Sequence, residues 1–212
     1  MRILELHLYT FAELCESAKK KAIELLRNKT AEIRNEFDSQ DYRNTLEKIE
    51  EMFHINVRNW EVGCCSRPFF QYHFSGDDGR WDELSDDPKF LLRYLNSITL
   101  PARAGKYYST SGHYDENHKF HYKYRHSKVL FDDETWSLTG TWCDDAVIKA
   151  MRTANEAVRK GWTIDQFIKS MLSHFFNNWS EDLESAYSDE AVIDDITGND
   201  YEFLSTGVPY AA

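Results

Sequence analysis

An α+β fold, with a small antiparallel sheet packed by helices and a helical C-terminal half, follows from three features of the sequence. Short runs of alternating apolar residues mark strands in the first 130 residues. Apolar residues at three- and four-residue spacing mark helices, above all after residue 140. The 212 residues are 42% hydrophobic and 15% aromatic, enough for a sizeable core and unlike a disordered chain.

In "MRILELHLYTF", Leu4, Leu6 and Leu8 alternate with polar residues, which predicts a strand and not a signal peptide. Thr10 and Glu13 match a capping box. Phe11, Cys15, Ala18, Ala22, Leu25 and Leu26 then recur at helical spacing, so a helix is expected from Thr10 to Asn28, with continuation to Phe37 open. Tyr42, Leu46, Ile49 and Phe53 predict a second helix over 40–54. "INVRNWEV" and "PFFQYHF" read as strands joined by "GCCSR", and "SGDDGRWDELSDD" as a loop. Pro88 suits the first turn of a helix reaching Asn96.

Residues 101–130 differ in kind. "KFHYKYRH" places Phe120, Tyr122, Tyr124 and His126 on one face and Lys119, His121, Lys123 and Arg125 on the other. A β-hairpin with its turn near Asp115–Asn117 is expected. Beyond it, Val147, Ala150, Met151, Ala154 and Val158 mark a helix that "GW" ends. "TIDQ" opens another, carrying Ile164, Phe167, Ile168, Met171, Leu172, Phe175, Trp179 and Leu183. Ser188 caps a short acidic helix, and "YEFLS" is strand-like. Residues 1–130 are expected to form an α+β region with the basic hairpin at 101–130 and residues 131–212 an acidic helical region, the two making one compact unit.

Formal net charge is −11. From Phe131 onward there are 16 acids and 5 bases, whereas Pro101–Leu130 holds 6 bases and 2 acids. Such a balance disfavours general phosphate-backbone binding and favours solubility, or a basic partner. No run approaches the roughly 20 apolar residues of a membrane span, so a cytoplasmic location and no membrane partner are expected. Cys15, Cys64, Cys65 and Cys143 contain no C-x-x-C and read as reduced thiols.

Motifs for nucleotide, serine-nucleophile and zinc-protease chemistry are absent. An EF-hand counted from Asp77 fails, since its twelfth position is Pro88. His118 and His121, three apart on a strand, point to opposite faces and do not chelate one ion. A nucleophilic Cys143 is opposed by the charges of Asp144 and Asp145, which suit a helix N-terminus instead. No catalytic residue, metal or cofactor is therefore expected.

The segment "SDEAVIDDITGNDYEF" raises the sharpest question, because it carries Asp189, Glu190, Asp194, Asp195 and Asp200 without a basic residue. On a helical wheel Val192, Ile193 and Ile196 cluster, while Glu190, Asp194 and Asp195 point away. Glu181, Asp182 and Glu184 precede them. Ordinary solvation explains most acidic faces; an extended one can also compete for a groove built for nucleic acid.

Several segments resemble small phage and prophage proteins of unknown function. "YTFAELCESAKKKAIELL" resembles their "eLseeAkekAie" opening, and "INVRNWEVG" and "SLTGTWCDDAVIKAM" look like later blocks of the same group. "YSDEAVIDDITGNDYEFLSTG" is similar to their "sdeaiie.i.aNeyeFtedG" ending. The Tyr/His hairpin has no counterpart there. The resemblance implies a shared fold and a mobile-element origin, and it carries over no catalytic residue. By analogy with small acidic phage proteins, a non-catalytic inhibitor of a host defence nuclease, of anti-CRISPR or anti-restriction type, is expected. Its contacts would be Asp189, Glu190, Asp194, Asp195 and Asp200, supported by Glu181, Asp182 and Glu184. The partner would be a host protein with a basic groove, with self-association open. The alternatives are a nucleic-acid-binding accessory protein using Lys119, Lys123, Arg125, Tyr122 and Tyr124, or a metal-dependent enzyme.

Overall fold

The structure, a computed structural model, describes residues 6–63, 66–76, 80–98, 103–108, 112–122, 125–130 and 138–210. Cys64, Cys65, Asp77 and the chain start through Glu5 lie outside them. Two compact units form, each from separated segments: residues 1–40, 63–67 and 179–212 in the first, and 41–62 and 68–178 in the second. The elements run β1 (Tyr9–Thr10), a 3-10 turn at Phe11–Glu13, α1 (Glu16–Phe53), β2 (Ile55–Gly63), β3 (Ser66–Phe74), α2 (Arg80–Leu84), a 3-10 turn at Pro88–Phe90 and α3 (Leu91–Leu95). Then follow β4 (Arg103–Tyr108), β5 (Gly112–Tyr114), β6 (Phe120–Tyr122), β7 (Arg125–Leu130), a 3-10 turn at Trp142–Asp144, α4 (Asp145–Arg159), α5 (Ile164–Ser185), α6 (Asp189–Gly198) and β8 (Glu202–Phe203). The class is α+β, with a helical C-terminal half. The described strands form two-stranded sheets, pairing β1 with β8, β2 with β3, β4 with β7 and β5 with β6.

The two helices expected before residue 54 are one helix of 38 residues. No Gly or Pro interrupts it. Its buried stripe continues through the middle as Thr30, Ala31 and Asp38 before Tyr42, Thr45 and Leu46 resume it. The helical period survives, but polar side chains carry it there, so an apolar-only reading sees two helices. Thr10 and Glu13 do form a capping box, over the 3-10 turn that precedes α1. Cys15 and Leu25, expected on the buried face, are exposed, and Leu14 and Ile23 take their places. Among the described residues of the expected N-terminal strand, Tyr9 and Thr10 pair, with Phe203 and Glu202, and Leu4 lies outside the described residues.

In the first unit, α1 and α6 share a core of Leu14, Ala18, Ala22, Ile23, Leu26, Val192, Ile196 and Phe203. The tail closes over it. Gly207, at φ +78°, lies so close that an added Cβ would stand 2.1 Å from the Ala18 carbonyl oxygen. Only glycine accommodates both that backbone angle and that approach.

Aromatic packing dominates the second unit. Tyr42 meets Phe175 edge-on at 5.4 Å, and Phe74 meets Tyr94 at 5.8 Å. The Tyr94 hydroxyl donates to the Phe53 carbonyl at 2.6 Å, and burial pushes its pKa well above the usual phenol value. The expected "TIDQ" box is reciprocal: Thr163 N–H donates to Gln166 Oε1 at 3.0 Å and Gln166 N–H to Thr163 Oγ1 at 3.1 Å. The acidic loop after β3 contains a helical turn, α2, which its glycines and charges concealed.

Asp144 is buried, not merely placed at a helix start. Its Oδ2 accepts the backbone N–H groups of Leu138, Thr139 and Gly140 at 2.9, 2.9 and 3.0 Å. Its Oδ1 accepts from the hydroxyls of Thr139 and Thr45 at 2.9 and 3.2 Å. One carboxylate thus ties a three-residue loop to α1 and satisfies donors that would otherwise lack partners.

Two substitutions check these constraints by urea unfolding. Gly207→Ala should destabilise by roughly 2–4 kcal/mol, because a β-carbon strains both the angle and the contact. Asp144→Ala should cost roughly 3 kcal/mol by orphaning three backbone donors. A change below about 0.5 kcal/mol in either, as at an ordinary surface position, would contradict the arrangement.

Candidate partner-binding surface

The C-terminal segment Trp179–Ala212 contains nine carboxylates and no Lys, Arg or His. Its local fold follows from capping and burial. Ser188 Oγ accepts the Ala191 N–H at 3.1 Å, with Asp189 and Glu190 in the first turn of α6, where the helix dipole favours negative charge. Val192 and Ile196 are the buried face, as the helical wheel expects, and Ile193 packs beside them.

The structure divides the eight acids singled out by sequence. Asp189 has a basic partner that the segment itself lacks: Arg27 on α1 donates to it at 2.6 Å and also to the Tyr187 carbonyl. Asp195 does not point away from the protein. It is half-buried, accepts the Thr30 hydroxyl at 2.8 Å, and accepts the Asn199 amide at 2.9 Å. Asp200 has a left-handed backbone, φ 49°, just past α6. There Tyr201 N–H returns to the Ile196 carbonyl at 3.1 Å, so Asp200 occupies the position where a helix end usually carries Gly or Asn. Asp182 is half-buried, and its carbonyl accepts from Ser185 Oγ at 2.9 Å.

Glu181, Glu184, Glu190 and Asp194 are exposed. Glu181 and Glu184 are three apart on α5, and Glu190 and Asp194 four apart on α6, so each pair shares a helix face. Like charges at these spacings repel one another.

The hairpin forms with its turn where expected. Asp115 organises that turn, accepting the Asn117 and Lys119 N–H groups, each at 2.9 Å. His118 is a turn residue at φ 59°, not a strand residue. Lys119 is exposed. Tyr114 and Phe120 meet edge-on at 5.0 Å, and Tyr114 is 68% exposed, so this aromatic is not core. Lys123 and Tyr124 lie outside the described residues, as do the side chains of Tyr122 and Arg125.

An open cleft of about 430 Å³ in the second unit is lined by β3, Asp82, Ser85, Asp165 and Lys169. Tyr72 donates to Asp165 at 2.8 Å, and Lys169 pairs with Asp165 at 2.9 Å. Burial first, then this bond, pushes the Tyr72 phenol far up, which keeps it protonated as a donor. Cys143 is buried, away from any exposed nucleophile's position. Among the described residues no group of three or more His, Cys, Asp or Glu is arranged to hold a metal ion, and no helix is long and apolar enough to cross a membrane.

Comparison of the chain with protein-family models, curated proteins and solved structures gives no match. The resemblance to phage and prophage proteins therefore stands on the quoted segments alone.

The division of the acids has a thermodynamic signature. Asp195→Ala should destabilise by roughly 1–2 kcal/mol, since it strips the partner from the buried Thr30 hydroxyl. Asp194→Ala should change stability by less than about 0.5 kcal/mol. Asp200→Gly should be neutral or slightly stabilising, because glycine adopts the left-handed angle without strain. Thermal or urea unfolding of the three variants reads all of this; equal effects at Asp194 and Asp195 would contradict the division.

Proposed function

We propose that this chain is a non-catalytic inhibitor of a host defence nuclease, of anti-CRISPR or anti-restriction type, acting in the host cytoplasm. Its acidic surface would occupy a groove where Lys and Arg normally hold phosphate. The observation that carries the reading is the set of Glu181, Glu184, Glu190 and Asp194, exposed on two helices in a stretch with no basic residue. Repulsion within each pair costs about 0.2–0.5 kcal/mol in the free chain. A cationic groove would relieve it. The Cβ atoms of each pair are about 5–6 Å apart on the helix, and the charges of a nucleic-acid duplex likewise recur every few ångströms.

Asp189, paired with Arg27, and Asp195, engaged by Thr30, support the shape of the surface more than its charge, while exposed Asp200 adds to the charge. A second reading, direct nucleic-acid binding through the hairpin, is favoured by exposed Tyr114 near exposed Lys119; base stacking on an aromatic beside a cation is a recurrent binding device.

The test is capture by tagged protein from nuclease-treated host lysate, identified by mass spectrometry. The expected result is a nucleic-acid-handling protein that elutes with added salt or duplex DNA. The double variant Glu190→Lys/Asp194→Lys should lose it. Capture undiminished in that variant rules the acidic surface out, and a salt-sensitive mobility shift with single-stranded nucleic acid, abolished by Lys119→Ala/Tyr114→Ala, would favour the hairpin instead.

A further inference from the structure

We propose that His113 and His121, on the hairpin, form a two-imidazole site for a divalent transition-metal ion such as Zn²⁺, with Asp115 as its outer support. The two residues are direct cross-strand partners of β5 and β6. Both are exposed, and their ring centroids lie 5.5 Å apart with planes 21° from parallel. Two imidazoles sharing one tetrahedral ion hold their centroids about 5 Å apart, since each nitrogen sits about 2 Å from the metal. The pair already has that separation. Rotation of the His113 ring about χ2, a soft torsion, brings its lone pair toward His121 and leaves His121 where it stands.

Asp115 supplies the second observation. Its Oδ2 lies 2.8 Å from His121 Nε2, while its Oδ1 is held by the Asn117 and Lys119 N–H groups. Where His121 Nε2 donates to that carboxylate, Nδ1 is the nitrogen left to bind a metal ion. A carboxylate that orients a histidine in this way is the usual outer partner of a metal ligand, raising the basicity of the coordinating nitrogen. Two protein nitrogens leave the remaining coordination positions to water.

The signal was invisible at the level of sequence spacing. His118 and His121 are the near pair in the chain, but the turn places His118 elsewhere and brings His113, eight residues away, opposite His121. The site requires no acidic partner-binding surface, so it stands or falls separately from the function proposed above.

The experiment is titration of the tag-free full chain with Zn²⁺, followed by calorimetry and by the ring-proton resonances of the histidines. One equivalent should bind, with His113 and His121 signals shifting together. His113→Ala should weaken binding at least about tenfold, and Asp115→Asn about tenfold or more by loss of outer support. His118→Ala should bind as the parent does. His113 is exposed, so its variant keeps the fold. Equal affinity in His113→Ala, or no saturable binding by the parent, would overturn the proposal.

Discussion

The packing of α6 onto α1 is the interaction that decides what the C-terminal segment presents to solvent. Val192 and Ile196 enter the stripe made by Ala18, Ala22 and Leu26. Once that face is buried, the helical period sends the acids to defined directions. Asp195 falls at the edge of the buried face and meets Thr30; Asp189 falls beside Arg27. Glu190 and Asp194 fall outward. The tail through Gly207 closes against Ala18, a residue of the same core. Charge display is therefore a consequence of apolar burial: a one-residue shift of α6 that set Glu190 in the place of Ala191 would also set Asp195 in the place of Ile196, burying two carboxylates.

A parallel economy operates in the second unit, where a single carboxylate organises irregular backbone. A loop from Leu138 to Gly140 has no ladder to satisfy its N–H groups. Asp144 supplies the acceptor for all three. At the hairpin, Asp115 does the same for the N–H groups of its own turn and then reaches His121. In both places an acid that looks like surface charge in the sequence is a structural acceptor. Some acidic residues in this chain thus close backbone, others such as Asp189 and Asp195 engage side chains of the same unit, and others face solvent.

Much of the fold was legible because its signals are local. The capping boxes at Thr10 and Thr163, the stop after Arg159 and the Ser188 cap each depend on residues within a few positions. Hairpin alternation and turn residues placed the bend at Asp115. Continuity of α1 was hidden because Thr30 and Asp38 carry a buried stripe that an apolar pattern does not register. Helix α2 was hidden by the charges around it. The separate roles of the acids were illegible for a deeper reason: Arg27 lies 162 positions from Asp189, and Thr30 lies 165 from Asp195. The register that sets His113 against His121 is likewise a product of pairing, not of spacing along the chain.

The claim on which the account turns is that Glu181, Glu184, Glu190 and Asp194 are the exposed carboxylates through which the C-terminal segment meets a basic partner. Its most direct measurement is an NMR titration of isotopically labelled protein with a short oligolysine peptide. Perturbations should concentrate on these four residues and fade with added salt, leaving Asp195 and Asp144 at their starting positions. Perturbations spread evenly over all carboxylates, or centred on Asp189 and Asp195, would contradict it.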